Sequence, residues 1–200
     1  LMSAGLPPTK QIVIHGFITV GGEKMSKSVG NVIDPLAIID EYGVDALRYY
    51  LARHIHPFED SDFTMEKFKD AYNANLANGL GNLAARIMQL AEKNLSEPVT
   101  VEAVPFAQEF TSALDSYDFN AAFDYAWGRI QMLDRKISET EPFKVAKVDT
   151  DKGKKLIGEL VTELAAIDQM LEPLIPSTSG AIINAIIANK KPDNLFPRKD

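Results

Sequence analysis

Lys24-Met25-Ser26-Lys27-Ser28 lies between the pair Gly21-Gly22 and Gly30. A lysine ammonium is a compact charge with three donors, suited to following a polyphosphate whose charge moves during a reaction. The serine hydroxyls and loop amides can add neutral donors, and the flanking glycines permit backbone angles and movement closed to other residues. The stretch reads as a phosphate-handling loop. The competing reading is an exposed turn with two solvated lysines, which would prevail for an isolated Lys-x-x-Lys.

The elements around the loop decide between the two. Gln11 to Val20 is rich in β-branched and aromatic residues and predicts one strand, or two short ones, running into the glycine pair. Downstream, Asp34 and Pro35 form an N-cap followed by proline at the first helical position, so a helix starts there. Strand, basic loop and capped helix in this order place the lysines at the carboxyl end of a strand, where nucleotides bind in open α/β sheets.

The segment His15-Gly16-Phe17-Ile18-Thr19-Val20-Gly21-Gly22-Glu23-Lys24-Met25-Ser26-Lys27-Ser28-Val29-Gly30-Asn31, with Tyr42-Gly43-Val44-Asp45-Ala46-Leu47-Arg48-Tyr49-Tyr50 beyond it, resembles the second signature region of class I aminoacyl-tRNA synthetases. Within that class it is most similar to the methionyl-tRNA synthetase family, and the likeness covers essentially the whole chain. The resemblance implies a loop that closes over ATP and stabilises the pyrophosphate leaving group. By position, Lys27 is the main phosphate ligand and Lys24 assists, so these two are the expected catalytic residues. Met25, Ser26, Ser28 and, more weakly, His15 complete the expected ATP site. A strand-end histidine is more often a local hydrogen-bonding residue.

The same resemblance implies ATP as the nucleotide, Mg2+ in the full enzyme, and methionine-accepting tRNA as partner. It also implies an N-terminal catalytic half with the other nucleotide signature, the methionine pocket and a metal-bearing insertion, none of which is found in this sequence. The chain alone is therefore expected not to catalyse.

Composition agrees with a globular protein: 46% of the 200 residues are hydrophobic, ample for a packed core. No apolar run is long enough to cross a bilayer and no leader is evident, so no membrane partner and a cytoplasmic site are expected. With no cysteine and only His15, His54 and His56, no metal site is expected in this chain. A net charge of −7 argues against binding nucleic acid through a broad positive field, so any RNA contact must be local.

The expected fold class is α+β and predominantly α. A strand-loop remnant of a Rossmann-type catalytic domain occupies residues 1–30, a stem-contact unit 31–64, an antiparallel helical bundle 65–190 and a frayed basic tail 191–200. Gly43 is expected to end the first helix with a left-handed cap. Thr64 should open a helix reaching to about Leu95, in which Leu76, Leu80, Leu83, Ile87 and Leu90 make one apolar seam. Phe119, Phe123, Ala126, Ile130, Leu133 and Ile137 make a second behind the cap Asp118, with Trp127 packed beside it. Leu156, Leu160, Leu164, Ile167 and Leu171 make a third.

Asn82 and Arg86 fall on a polar stripe beside the first seam, and spacing alone favours a solvated face. The resemblance instead aligns them with the family's anticodon-reading Asn-x-x-x-Arg. At Glu141-Pro142-Phe143-Lys144, Phe143 stands where the family carries a tryptophan that stacks under an anticodon base. A phenyl ring stacks with less surface and no indole donor, and a core role for Phe143 is nearly as well supported. Other readings consistent with the sequence are a non-catalytic tRNA-binding module, one half of a split synthetase, and a related class I synthetase for valine, isoleucine, leucine or cysteine.

Overall fold

The Asp34 carboxylate accepts from the Leu36 amide at 2.9 Å, and Pro35 occupies the first helical position, where no amide donor is lost. In the computed structural model, which describes residues 1–199, this opens α1 (Pro35–Tyr42), and Gly43 turns the chain at once into α2 (Val44–His54). Gly43 differs from the expected left-handed cap: its φ of 86° is paired with a ψ of 156°. That region is essentially glycine's alone, and its extended ψ lets α2 start immediately on a new axis.

Gly21 and Gly22, with φ of 63° and 78°, make the turn between β1 (Ile18–Val20) and β2 (Glu23–Lys24). Two successive positive φ values match the right-handed twist of a hairpin. β3 (Ser61–Asp62) pairs with β1 in parallel on its other edge, giving the order β2-β1-β3. The strand is shorter than the sequence pattern predicts. Residues 11–17 carry no strand assignment, and Ile12, Val13, Ile14 and Phe17 are exposed. β-branched residues favour extended backbone, but a ladder also needs a neighbouring strand.

Thr64 caps α3 (Met65–Ala71), which continues through a π-helical segment (Tyr72–Gly81) into α4 (Asn82–Asn94) as one rod. Leu76, Leu80, Leu83 and Ile87 are buried as the seam requires. The body is completed by α5 (Gln108–Asp115), α6 (Phe119–Thr140), α7 (Pro142–Val148), α8 (Thr150–Leu171) and α9 (Pro176–Ala188). Asp118 and Asp149 each accept a backbone amide at 3.0 Å and cap α6 and α8. α8 lies at the centre, packed against α4, α6, α7 and α9. Its side chain-free Gly153 lets α7 approach closely: a Cβ there would stand 2.3 Å from Ala146 Cα. Phe119 departs from its seam and is exposed at the start of α6, whereas Phe123 to Ile137 follow the pattern and Trp127 is buried.

The expected frayed tail is instead packed. Phe196 is buried edge-on against Tyr72, their ring centroids 6.0 Å apart, and Phe196 Cδ2 lies 3.6 Å from where a Cβ on Gly81 would stand. Tyr72 donates its hydroxyl to the Pro197 carbonyl at 2.8 Å, and the Asn73 amide exchanges two hydrogen bonds with the Lys199 backbone. An aromatic anchor and these backbone bonds outweigh the basic character that the sequence stresses.

α2 joins the sheet side to the helical body. Asp45, buried on α2, accepts from the Thr178 amide at 2.6 Å and its hydroxyl at 2.8 Å, capping α9 from another element. Arg48 donates to the Leu174 and Pro173 carbonyls between α8 and α9. Asn120 on α6 donates to the carbonyls of Ala52 and Ile55 at the far end of α2.

Asp168 on α8 is only 3% exposed, and its Oδ1 is buried without a hydrogen-bond partner. Burial, partly offset by the Ser179 hydroxyl, pushes its carboxyl up to about 7 from 3.8. The folded protein holds this proton longer than the unfolded chain does, so this group's contribution to stability is fully present below pH 3.8 and is lost as pH rises through about 7. Asp168→Asn should remove this slope. Urea titrations at pH 5 and pH 8 should show the variant gaining on the wild type at the higher pH, by on the order of 2 kcal/mol.

Candidate functional site

Lys24 ends the hairpin on β2, and Lys27 lies exposed on the loop that follows. The loop has a defined shape although no regular element holds it. Asn31 closes it from one side chain, accepting from the Ser26 amide at 2.7 Å and donating to the Lys24 carbonyl at 3.2 Å. Ser26 and Ser28 share a hydrogen bond at 2.8 Å, and the Gly30 amide, at φ 77°, returns to the Ser26 carbonyl. Among the described residues, neither lysine lies within ion-pair distance of a carboxylate. Lys24 rests 5.2 Å from the centroid of Phe17. Two unneutralised ammonium groups on a hairpin-anchored loop are what an anionic ligand requires.

Acids in the segment before α3 fix the hairpin. Asp60 accepts from the Phe17 amide at 2.7 Å, and Asp62 Oδ1 accepts from the Gly22 amide at 2.9 Å and the Thr19 hydroxyl at 3.2 Å. The Gly22 amide, helped by Thr19 and the Lys67 ammonium 3.7 Å away, holds the Asp62 carboxyl below its usual range. Gly16 lies so near β3 that a Cβ on it would stand 2.1 Å from the Glu59 carbonyl oxygen. Sequence reasoning singled out the lysines and serines but missed Asn31, Asp60 and Asp62 as their supports. An Asx side chain within a glycine-rich turn was the available signal for Asn31, whereas the acids are some forty positions away and had none.

His15 is not part of this loop. Its Nδ1 lies 2.8 Å from the Gly16 carbonyl oxygen, and it lines a cavity of about 340 Å³ with apolar residues including Ile18, Leu51 and Phe119. Met25 is half-buried beneath the loop, while Ser28 is exposed.

The second candidate face lies on α4, α6 and α7. Asn82 is exposed at the first position of α4, and Arg86 follows one turn later. Arg86 Nη1 donates to Asp134 Oδ1 on α6 at 2.6 Å, both side chains remaining about half exposed. An exposed ion pair adds little stability, but it fixes the direction of a guanidinium whose remaining donors stay available. Phe143 is 45% exposed on the first turn of α7, while the adjacent Pro142 is buried and locks the corner. The phenyl ring is therefore open to stacking, with Lys144 5.9 Å from its centroid. Asn82 and Arg86 share one helix, whereas Phe143 stands on another, α7.

A family model described as tRNA synthetases class I (M) matches residues 1–88. Over 93% of its length the chain is 35% identical to a methionine–tRNA ligase of Lactococcus lactis, of which it covers 30%, and over 98% it is 31% identical to one of Rickettsia typhi, of which it covers 42%. It superposes on the Mycobacterium tuberculosis methionyl-tRNA synthetase in complex with methionyl-adenylate with a TM-score of 0.78 and 27% identity, covering 98% of this chain and 46% of that one. The chain thus spans less than half the length of these relatives.

The position of Asp62 gives the hairpin a defined acid limit. Because its carboxyl titrates below 3.8, the bond to Gly22 is present above that pH and is lost only as pH falls through the lowered value. The Gly22 amide resonance, followed by NMR, should have its transition midpoint below the ordinary aspartate value of 3.8. In Asp62→Asn that acid transition should be missing.

Proposed function

We propose that the chain is a part of a methionyl-tRNA synthetase and that it provides the phosphate loop and the anticodon-reading body of a methionine–tRNA ligase. Such an enzyme activates methionine with ATP and attaches it to its tRNA. In the first step a methionine carboxylate oxygen attacks the α-phosphorus, the bond to the bridging oxygen breaks, and pyrophosphate leaves with the electron pair. Lys27, assisted by Lys24, neutralises the charge gathering on that leaving group, while Ser26, Ser28 and loop amides donate hydrogen bonds to it. The glycines at both ends let the loop follow the pyrophosphate as it separates.

The observation that carries this reading is the pair of lysines that, among the described residues, have no carboxylate within ion-pair distance, on a loop closed by Asn31. The residues that would hold methionine and the adenosine lie outside this chain in this reading. Among the described residues no three His, Cys, Asp or Glu side chains converge to hold a metal ion. Magnesium brought by ATP would bind mainly phosphate oxygens and water.

In the second step the body would select the tRNA. Asn82 and the Asp134-oriented Arg86 would meet unpaired base edges, and Phe143 would offer a stacking surface. The exposure of Phe143 also favours a second reading, a tRNA-binding module with no catalytic part.

Methionine-dependent ATP–pyrophosphate exchange and tRNA charging, measured on the protein that carries this chain, separate the two. Lys27→Ala should slow exchange by roughly 10²–10³-fold, and Arg86→Ala should leave exchange intact while weakening charging. Full activity in Lys27→Ala would sink the catalytic assignment and leave the binding module.

A further inference from the structure

A groove of about 590 Å³ runs between the π-helical segment with the start of α4 and the returning residues 191–198. Its volume falls within the usual range for ligand sites. Asn78 and Asn82 face it from the helix and Asn194 from the tail, so both walls offer side-chain amides. Lys191 and Arg198 also line it, and among the described residues neither lies within ion-pair distance of a carboxylate. Asp193 is the single acid in the lining, which leaves the groove net positive on a chain of net charge −7.

Two further features mark it as built. Ala77 and Ala85 line it from the helix, small side chains that leave room for a sugar-phosphate backbone beside the amides. The tail wall is anchored by Phe196 on Tyr72 and by the Asn73 bonds to Lys199, so the groove needs little ordering to receive a ligand. The π-helical turn that carries Asn78 is a rare conformation, found disproportionately at functional sites. Asn82 belongs both to this groove and, one turn before Arg86, to the base-reading face. A ligand in the groove is therefore continuous with whatever meets Arg86.

We propose that the groove is a subsite for one further unpaired nucleotide of the RNA loop read by Asn82 and Arg86. Its phosphate meets Lys191 and Arg198, and its base edge meets the amides of Asn78 and Asn194. This rests on the anticodon-reading role proposed above. Amides on both sides suit the mixed donors and acceptors of a base edge, and the cations suit a phosphodiester.

The test titrates a fluorescent anticodon stem-loop bearing CAU, and one with a changed anticodon base, into the full chain over a series of salt concentrations. In the double variant Lys191→Gln, Arg198→Gln, binding of both stem-loops should weaken about tenfold, and the salt slope should flatten by about 0.7 for the lost phosphate contact. Arg86→Ala should instead erase the difference between the two stem-loops. Arg198→Lys, which keeps the charge, should retain the slope, and matched thermal melts establish that the variants are folded. An unchanged slope and affinity in the double variant, with discrimination still lost in Arg86→Ala, would overturn the subsite and leave the anticodon reading standing. Failure of the wild-type chain to bind either stem-loop would overturn both.

Discussion

The buried carboxylate of Asp45 holds the two parts of this molecule in one frame. It caps α9 through the Thr178 amide and hydroxyl, although it belongs to α2 on the sheet side. Both donors meet Oδ2, while Oδ1 is buried without a hydrogen-bond partner; undocking α9 would strip the group of the contacts that offset its removal from water, which favours one register of α2 on α9. Arg48 uses the same geometry in the opposite sense, satisfying carbonyls freed where α8 ends. Asn120 does so for the last carbonyls of α2 itself. Helix ends that would otherwise be unsatisfied thus become the joints of the fold.

From this frame the two candidate faces inherit different mechanical properties. The Lys24–Ser28 loop hangs from a short hairpin fixed by Asp60 and Asp62 and is flanked by positive-φ glycines. The face on α4, α6 and α7 is set on packed helices, and its arginine is aimed by Asp134. The proposed roles differ in the same way: closure around a leaving group needs movement, whereas base reading needs donors held still.

The distribution of charge would reconcile an acidic chain with the polyanionic ligands proposed for it. Asp34, Asp118 and Asp149 cap helices, Asp60 and Asp62 hold the hairpin, and Asp134 engages Arg86. These carboxylates are occupied by backbone amides or by a chosen cation. Lys24, Lys27, Lys191 and Arg198 have no such partner among the described residues. Contacts of a few ångströms decide binding where the overall field would oppose it, because salt screens the distant charges first.

The sequence by itself determined most of the helices and their N-terminal caps, and made the Lys24–Ser28 loop legible as a candidate phosphate site. Asp34-Pro35, Thr64 and Asp118 act within one turn, the apolar seams repeat at helical spacing, and a glycine-flanked Lys-Met-Ser-Lys-Ser carries its chemistry in its own residue types. Those signals are local, so they survive without knowledge of the fold. Tertiary structure alone decided that Asp62 holds Gly22, that Asp134 aims Arg86, that Pro142 rather than Phe143 fills the corner, and that the tail packs on Tyr72 and Gly81 instead of fraying. The residues concerned are distant in sequence or, as at the corner, identical in local signal. Their roles depend on which groups the packing of the helices brings within hydrogen-bonding or van der Waals reach, and no periodicity encodes that.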